Sequence, residues 1–180
     1  MKNVYLILIV LGMLVLGACN SIVPDEQELA NLKGAPMVMN FTAHLSGDEE
    51  VPANESMAVG EAVFQLSKDG MELSYKLIVA KLDNIRMSHI HLAPAGANGG
   101  VVVWLYPSAP PAVTIPGTSN GILAMGVITA DNLTGALAGQ PLWSLVEELQ
   151  MGGAYVNVHT DQYPGGEIRG QIMYGPGNAK

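Results

Sequence analysis

The feature that most constrains the fold is a series of short segments in which apolar and polar residues alternate. Every second residue from Met37 to Leu45 is apolar, and the segments Ala58–Leu66 and Met71–Ala80 have a similar pattern. Side chains alternate between the two faces of a strand, so each segment predicts a half-buried strand. Asp69-Gly70 lies between the second and third segments and is typical of a hairpin turn.

Further strands and one helix follow along the chain. The later strand segments are Met87–Leu92, Val101–Tyr106, Gly121–Thr129, Tyr155–Thr160 and Gly166–Met173. A helix is predicted near 141–151, because its leucines and Val146 follow the i, i+3, i+4, i+7 pattern and Gly152-Gly153 comes after them. About eight short strands with regular turns and one helix indicate an all-β protein, an antiparallel β-sandwich.

The amino terminus predicts export. A basic start, the apolar run Val4–Leu16 and the small residues Gly17-Ala18 are typical of a secretory signal. Leu16-Gly17-Ala18-Cys19 resembles a bacterial lipobox, which implies a signal peptide over 1–18 and lipidation of Cys19, the only cysteine. Residues 19–36 lack an apolar period and are expected to form a flexible tether, and 175–180 a disordered tail. We therefore expect an exported protein that is lipid-anchored to the bacterial cell envelope, on its periplasmic or cell-surface side.

Charge and motifs exclude several classes of function. The formal net charge of the 180 residues is -8, which disfavours nucleic acid as a partner because phosphate contacts need Lys and Arg. No nucleophile motif or phosphate-binding loop occurs in the sequence, so no catalytic residue is assigned.

Histidines on predicted strands are the main candidates for a functional site. His89 and His91 are two residues apart and must share a strand face. His159 shares a face with Tyr155 and Asn157, while valines take the opposite face. If the two strands are neighbours, three imidazoles meet, a ligand set that suits copper or zinc. The alternative is that each histidine only orders a turn. Affinity for a metal is expected to fall below about pH 6.5, the unperturbed histidine pKa.

Other residues are weaker candidates. His44 lies on the polar face of the first strand and is a fourth candidate metal ligand, although such a residue is more often solvated. Glu49, Glu50 and Asp161 are candidate alternative ligands, or acceptors for a ligand imidazole. Glu167 and Arg169 share a face of the last strand, where they are expected to pair with each other or with neighbouring strands. The alternative role for Arg169 is to guide an anion to the metal.

Several motifs together resemble the CHRD domain, a module named from chordin. They are Phe41–Gly47 with Glu50-Val51-Pro52, His89-Ile90-His91 with Gly96 and Gly99, Tyr155–Thr160, and Tyr163–Gln171. The resemblance covers nearly all of residues 37–174. It implies a Greek-key sandwich of immunoglobulin-like or superoxide-dismutase-like type. It does not imply a settled activity, since animal members belong to extracellular growth-factor antagonists and bacterial members are mostly uncharacterised exported proteins.

The sequence is also distantly similar to copper–zinc superoxide dismutase, through the His-x-His strand and the Gly-rich segment that carries Arg169. That family uses six histidines and an aspartate for two metals, whereas this chain has four histidines. Three functions therefore compete. The first is a lipid-anchored protein that binds copper or zinc, the second is a metal-free protein-interaction module with an unidentified protein partner, and the third, least favoured, is a dismutase-like metalloenzyme.

Overall fold

A computed structural model describes residues 39–175, which form eight strands and one α-helix. The strands are β1 (Asn40–Ser46), β2 (Val59–Leu66), β3 (Leu73–Leu92), β4 (Gly100–Tyr106), β5 (Ile115–Ile128), β6 (Ala154–Thr160), β7 (Ile168–Gln171) and β8 (Met173–Gly175), and the helix is α1 (Leu142–Gln150). The predicted signal peptide, Cys19, the tether and residues 176–180 of the predicted tail lie outside the described residues. Within 39–175, no helix is long and apolar enough to cross a membrane.

The strands form one antiparallel sheet that closes on itself through β3. The order along the sheet is β2-β1-β7-β6-β3-β4, and β2 also pairs with β3. The first half of β3, from Leu73 to Ala80, pairs with β2, and its last residues pair with β6 and β4. Between these halves, Lys81 and Asn84 have positive φ angles of 62° and 50°, and the pairing register with β5 shifts. This irregular stretch changes the course of β3, so that its first half can pair with β2 and its second half with β6, which closes the sheet.

The core fills the inside of the closed sheet. On β1, Phe41, Ala43 and Leu45 are buried, while Thr42 and His44 are exposed, as the alternating pattern predicts. Ile90 of β3 and Val156 of β6 pair directly and are both fully buried. On the strands β3, β6 and β7, the face opposite this core therefore carries the polar side chains.

The helix packs through the predicted stripe. Leu142, Leu145, Val146 and Leu149 are buried, and Pro141 lies at the N-cap, one position before the helix begins.

The all-β class, the antiparallel sheet and the helix are confirmed, and the Greek-key sandwich stays a prediction. Several strand boundaries differ from expectation. The predicted segments Met71–Ala80 and Met87–Leu92 belong to one strand, β3, which begins at Leu73, and β5 begins at Ile115, before the predicted start at Gly121. In both places, cross-strand pairing holds polar residues in an extended conformation that their own sequence does not indicate.

The predicted last strand, Gly166–Met173, is divided into β7 and β8. Gly175, expected to begin the disordered tail, is the last residue of β8, where it pairs with Asn40 of β1.

Candidate metal centre

The pairing of β3 with β6 brings the three predicted histidines together. Across this pair, His89 is opposite Asn157, His91 is opposite Tyr155, and Met87 is opposite His159. Residues directly opposite each other in a sheet share a face, so the three imidazoles lie on one face. One nitrogen of each lies within 4.8 Å of one nitrogen of the others. Such a spacing allows three nitrogens to contact one ion.

Backbone carbonyls fix the protonation of two of these rings. His91 Nδ1 lies 2.9 Å from the carbonyl oxygen of Gly99, and His159 Nδ1 lies 3.0 Å from that of Pro164. A carbonyl oxygen only accepts, so each Nδ1 must carry the proton. The lone pair of each neutral ring is then on Nε2. This is the arrangement that metal-binding histidines commonly show, with the second nitrogen donating to the protein.

Two ring nitrogens are buried without a hydrogen-bond partner. They are Nε2 of His89 and Nε2 of His91. His89 makes its other contact through Nδ1, which lies 3.2 Å from His159 Nε2. Buried polar atoms are nearly always satisfied in proteins, so a cluster of imidazoles with free nitrogens calls for a further partner. A metal ion fits this requirement, because it accepts several lone pairs at once.

Burial keeps the cluster in the neutral form that binds metals. The exposed fractions of His89, His91 and His159 are 2%, 8% and 6%. Burial, with repulsion from His159 and His91, lowers the pKa of His89 to about 3. Burial also lowers the pKa of His159 to about 4, and that of His91 in the same direction. All three rings are therefore neutral at pH 7 and available as ligands.

Aromatic rings enclose two of the histidines. The ring of Trp104, on β4, meets His89 edge to face with centroids 4.3 Å apart. The ring of Tyr155 stacks on His91 at 4.9 Å, with 10° between the planes. These contacts restrict ring rotation and exclude water from the nitrogens.

The connecting segments cover the polar face. The segment Ala93–Gly99, which we call the cover loop, lies over β6 and β7, where Gly99 N–H donates to the Tyr155 hydroxyl at 3.2 Å. The Asn98 amide donates to the carbonyl of Val51 at 2.7 Å, which joins the cover loop to the segment after β1. The histidines are thus buried on the side of the sheet opposite the core.

The weaker candidates take other positions. His44 is exposed, and its Nδ1 lies 3.3 Å from Glu61 Oε2. It is not part of the histidine cluster. Glu49 is exposed. Asp161 lies 3.8 Å from Arg86 Nε, and the acceptor at His159 Nδ1 is the carbonyl of Pro164.

Glu50 is the one acidic candidate that is buried. Its exposed fraction is 7%, and its Oε1 has no hydrogen-bond partner. Burial raises the pKa of this carboxyl to about 7, although the nearby charge of Arg169 lowers it. A side chain on Gly166 would overlap both Glu50 and Asn157, so these two residues lie on the same side of the Gly166 backbone. Glu50 therefore borders the polar face rather than solvent.

Glu167 and Arg169 do not form an ion pair with each other. The carboxylate of Glu167 accepts the hydroxyls of Ser56 and Thr160 at 2.7 and 2.6 Å. Arg169 is 1% exposed and contacts Asn98 and Tyr155. The buried position of the guanidinium does not suit guidance of an anion from solvent, so the structural role expected for both residues is the one that the geometry supports.

Several residues around the site could not be assigned from sequence. Trp104 reaches His89 only because β4 pairs with β3, which no local pattern reveals. The carbonyls of Gly99 and Pro164 act through the backbone, where residue type carries no signal. At Gly99 the residue type is nevertheless informative, because a side chain there would overlap the carbonyl of Leu92 and only glycine fits.

Comparison with known proteins identifies the family but no close relative. Neither the curated proteins nor the solved structures searched gave a significant match. The CHRD domain family matches residues 41–172. That match spans β1 to the end of β7 and includes all three clustered histidines. The chain therefore belongs to the CHRD domain family.

Proposed function

We propose that this protein is an exported, lipid-anchored CHRD-domain protein that binds one copper or zinc ion through His89, His91 and His159. The observation that carries the proposal is the pair of buried nitrogens without partners, His89 Nε2 and His91 Nε2, within a neutral three-histidine cluster. Three nitrogens with a fourth position left for another ligand suit either ion. The anchor is proposed from the lipobox-like Leu16–Cys19.

The donor set favours a single ion over a two-metal centre. In the described part of the chain, the only histidine outside the cluster is His44, which is paired with Glu61. A bridging arrangement of the dismutase type would need more imidazoles than these. We accordingly propose metal binding without assigning a reaction. The Greek-key sandwich implied by the family remains part of the proposal, supported by the closed antiparallel sheet.

The experiment is a metal titration of the full chain after removal of bound metal with a chelator. Cu(II) and Zn(II) are titrated into the wild type and into His91→Gln, His159→Gln and His44→Gln. We expect one ion per chain, a loss of affinity of at least about 100-fold for the first two variants, and no change for His44→Gln.

Equal, weak binding by the wild type and all three variants would contradict the metal site. The metal-free interaction module would then be the better description, with the histidines serving to order Gly99 and Pro164.

A further inference from the structure

Arg169 is a buried cation that forms no salt bridge with a carboxylate of the described residues. It is the largest side chain in the described residues that is almost completely buried, at 1% exposure. No carboxylate of residues 39–175 lies within 4.0 Å of its nitrogens. The Arg169 charge acts on the buried carboxyl of Glu50, but no direct ion pair forms between them. A buried charge without a direct ionic partner is costly, so the side chain must gain from other contacts. Those contacts show what this residue does.

The guanidinium binds the cover loop. Its Nη1 donates to Asn98 Oδ1 at 3.2 Å, and its Nη2 donates to the carbonyl of Pro94 at 3.3 Å. Pro94 and Asn98 are near the two ends of the cover loop, Ala93–Gly99. The planar fork of arginine can reach both at once, which the single ammonium of lysine cannot do with the same geometry.

The same guanidinium lies on an aromatic ring. Its central carbon is 3.5 Å from the centroid of Tyr155, a cation–π contact. Tyr155 in turn stacks on His91. Arg169, Tyr155 and His91 therefore form one continuous stack on the polar face of β7, β6 and β3.

The contacts of Arg169 with the cover loop and its contact with Tyr155 both act on His91. The stack fixes the plane of its ring. The cover loop supplies the Gly99 carbonyl that accepts from His91 Nδ1, and the Gly99 N–H is held by the Tyr155 hydroxyl. The carbonyl decides which nitrogen carries the proton, and hence that Nε2 is free for a metal.

We propose that Arg169 is a positioning residue of the metal site, holding the cover loop and Tyr155 so that His91 presents Nε2 to the ion. This inference rests on the metal-binding function proposed above. It assigns to Arg169 a role exerted through Gly99 and Tyr155, with no contact to the metal itself.

The test measures affinity and coordination geometry together. Cu(II) is titrated into full-length wild type, Arg169→Lys and the surface control Arg86→Lys, and each loaded protein is examined by electron paramagnetic resonance. We expect Arg169→Lys to lose about 10- to 100-fold in affinity, with altered copper hyperfine splitting. Arg86→Lys should match the wild type. Wild-type affinity and an identical spectrum for Arg169→Lys would overturn the inference.

A matched pair at Asn98 keeps the test valid if Arg169→Lys fails to fold. Asn98→Ala removes both the oxygen that Arg169 binds and the amide that binds Val51. Asn98→Asp removes the amide and keeps an oxygen, now part of a carboxylate, as the acceptor for Arg169. We expect Asn98→Ala to weaken Cu(II) binding at least severalfold more than Asn98→Asp. Equal binding by the two variants would show that the Arg169 contact does not position the site.

His91→Gln separates this inference from the function on which it rests. If His91→Gln binds Cu(II) like the wild type, the metal site itself is wrong. If His91→Gln loses binding while Arg169→Lys and Asn98→Ala keep it, only the role of Arg169 is wrong.

Discussion

At the scale of single residues, burial controls the charge of the three-histidine cluster. His89 and His159 have pKa values near 3 and 4, well below the ordinary 6.5. The sequence suggested that protons would compete with a metal below about pH 6.5. In the structure, the rings stay neutral to a lower pH, so proton competition at the ligands should begin nearer pH 4.

The first prediction concerns the stability of the metal-free protein between pH 7 and pH 4. As pH falls through 6.5, histidines of the unfolded chain take up protons while the buried ones do not, so the free energy of unfolding decreases. We expect about 1–3 kcal/mol to be lost for each of His89 and His159, and a further loss in the same direction from His91. Urea unfolding at stepped pH values measures this loss.

Its controls are substitutions at the two kinds of histidine. His159→Gln should show a shallower dependence of stability on pH than the wild type, whereas His44→Gln should keep the wild-type slope. The same slope in the wild type and His159→Gln would contradict a depressed pKa at this residue.

The second prediction concerns Glu50, whose shift has the opposite sign. Its pKa in the folded protein is about 7, above the ordinary 4.5, so the folded state holds this proton more tightly than the unfolded chain. Stability from this group is present below pH 4.5 and is lost as pH rises through 7. Glu50→Gln, which stays neutral, should be more stable than the wild type by about 1–3 kcal/mol at pH 8 and similar to it at pH 4.

Urea unfolding of Glu50→Gln and of Glu49→Gln at both pH values provides the measurement. Glu49 is exposed, so its variant serves as the matched control. A Glu50→Gln variant that is less stable than the wild type at pH 8 would show that Glu50 is a stabilising, ionised carboxylate.

The sequence was informative about residues whose position follows from strand alternation alone. His89 and His91 had to share a face, and the valines around His159 indicated its orientation. The burial of Glu50 and Arg169 depends instead on loops folding over the polar face, which has no periodic signal. Asp161 shows the same limit, since it is close to His159 in sequence but the Pro164 carbonyl reaches the ring instead.

At the scale of elements, β3 organises the molecule. Its 20 residues pair with β2, β4, β5 and β6, so it supplies both a wall of the core and two of the three histidines. The sequence predicted its two ends as separate strands because the stretch from Lys81 to Arg86 is rich in polar residues. The pairing of Asp83 and Ile85 with β5 keeps that stretch extended, and such a partner is visible only in the folded chain.

The third prediction tests the close contact between strands β1 and β7. A side chain on Gly170 would overlap the carbonyl oxygen of His44, so the two strands approach too closely for any residue but glycine. Gly170→Ala should destabilise the protein by about 1–3 kcal/mol, the usual cost of overpacking. Thermal or urea unfolding measures this. Gly100→Ala, at a strand glycine with no atom within 4 Å of the added carbon, is the control and should be near neutral. Equal stability of the two variants would mean that β1 and β7 are not in close contact there.

At the scale of the whole molecule, the fold places a buried polar cluster outside the main core. Sequence patterns were sufficient for the all-β class, the helix and the family, because each depends on local alternation or on linear motifs. Closure of the sheet depends on β3 meeting both β2 and β6, which are far apart in sequence, so it could not be predicted. The three-histidine cluster lies beside that closure, on the half of β3 that pairs with β6.

The last prediction concerns attachment of the whole chain to the cell envelope. Leu16-Gly17-Ala18-Cys19 resembles a lipobox, and Cys19 is the only thiol, so lipidation would also leave no free cysteine in an exported protein. We expect the wild type in the membrane fraction, with mass spectrometry of the mature protein showing an acylated amino-terminal cysteine. Cys19→Ala should be unprocessed or mislocalised and carry no acyl chain.

A second variant separates anchoring from metal binding. His159→Gln should remain in the membrane fraction with its acyl chain intact, because the cluster and Cys19 are chemically independent. An unmodified Cys19 in the mature wild-type protein would contradict the anchor while leaving the proposed metal site unaffected. Acylated wild type together with soluble, metal-binding Cys19→Ala would instead show that the lipid only holds at the membrane a domain that binds its ion unaided.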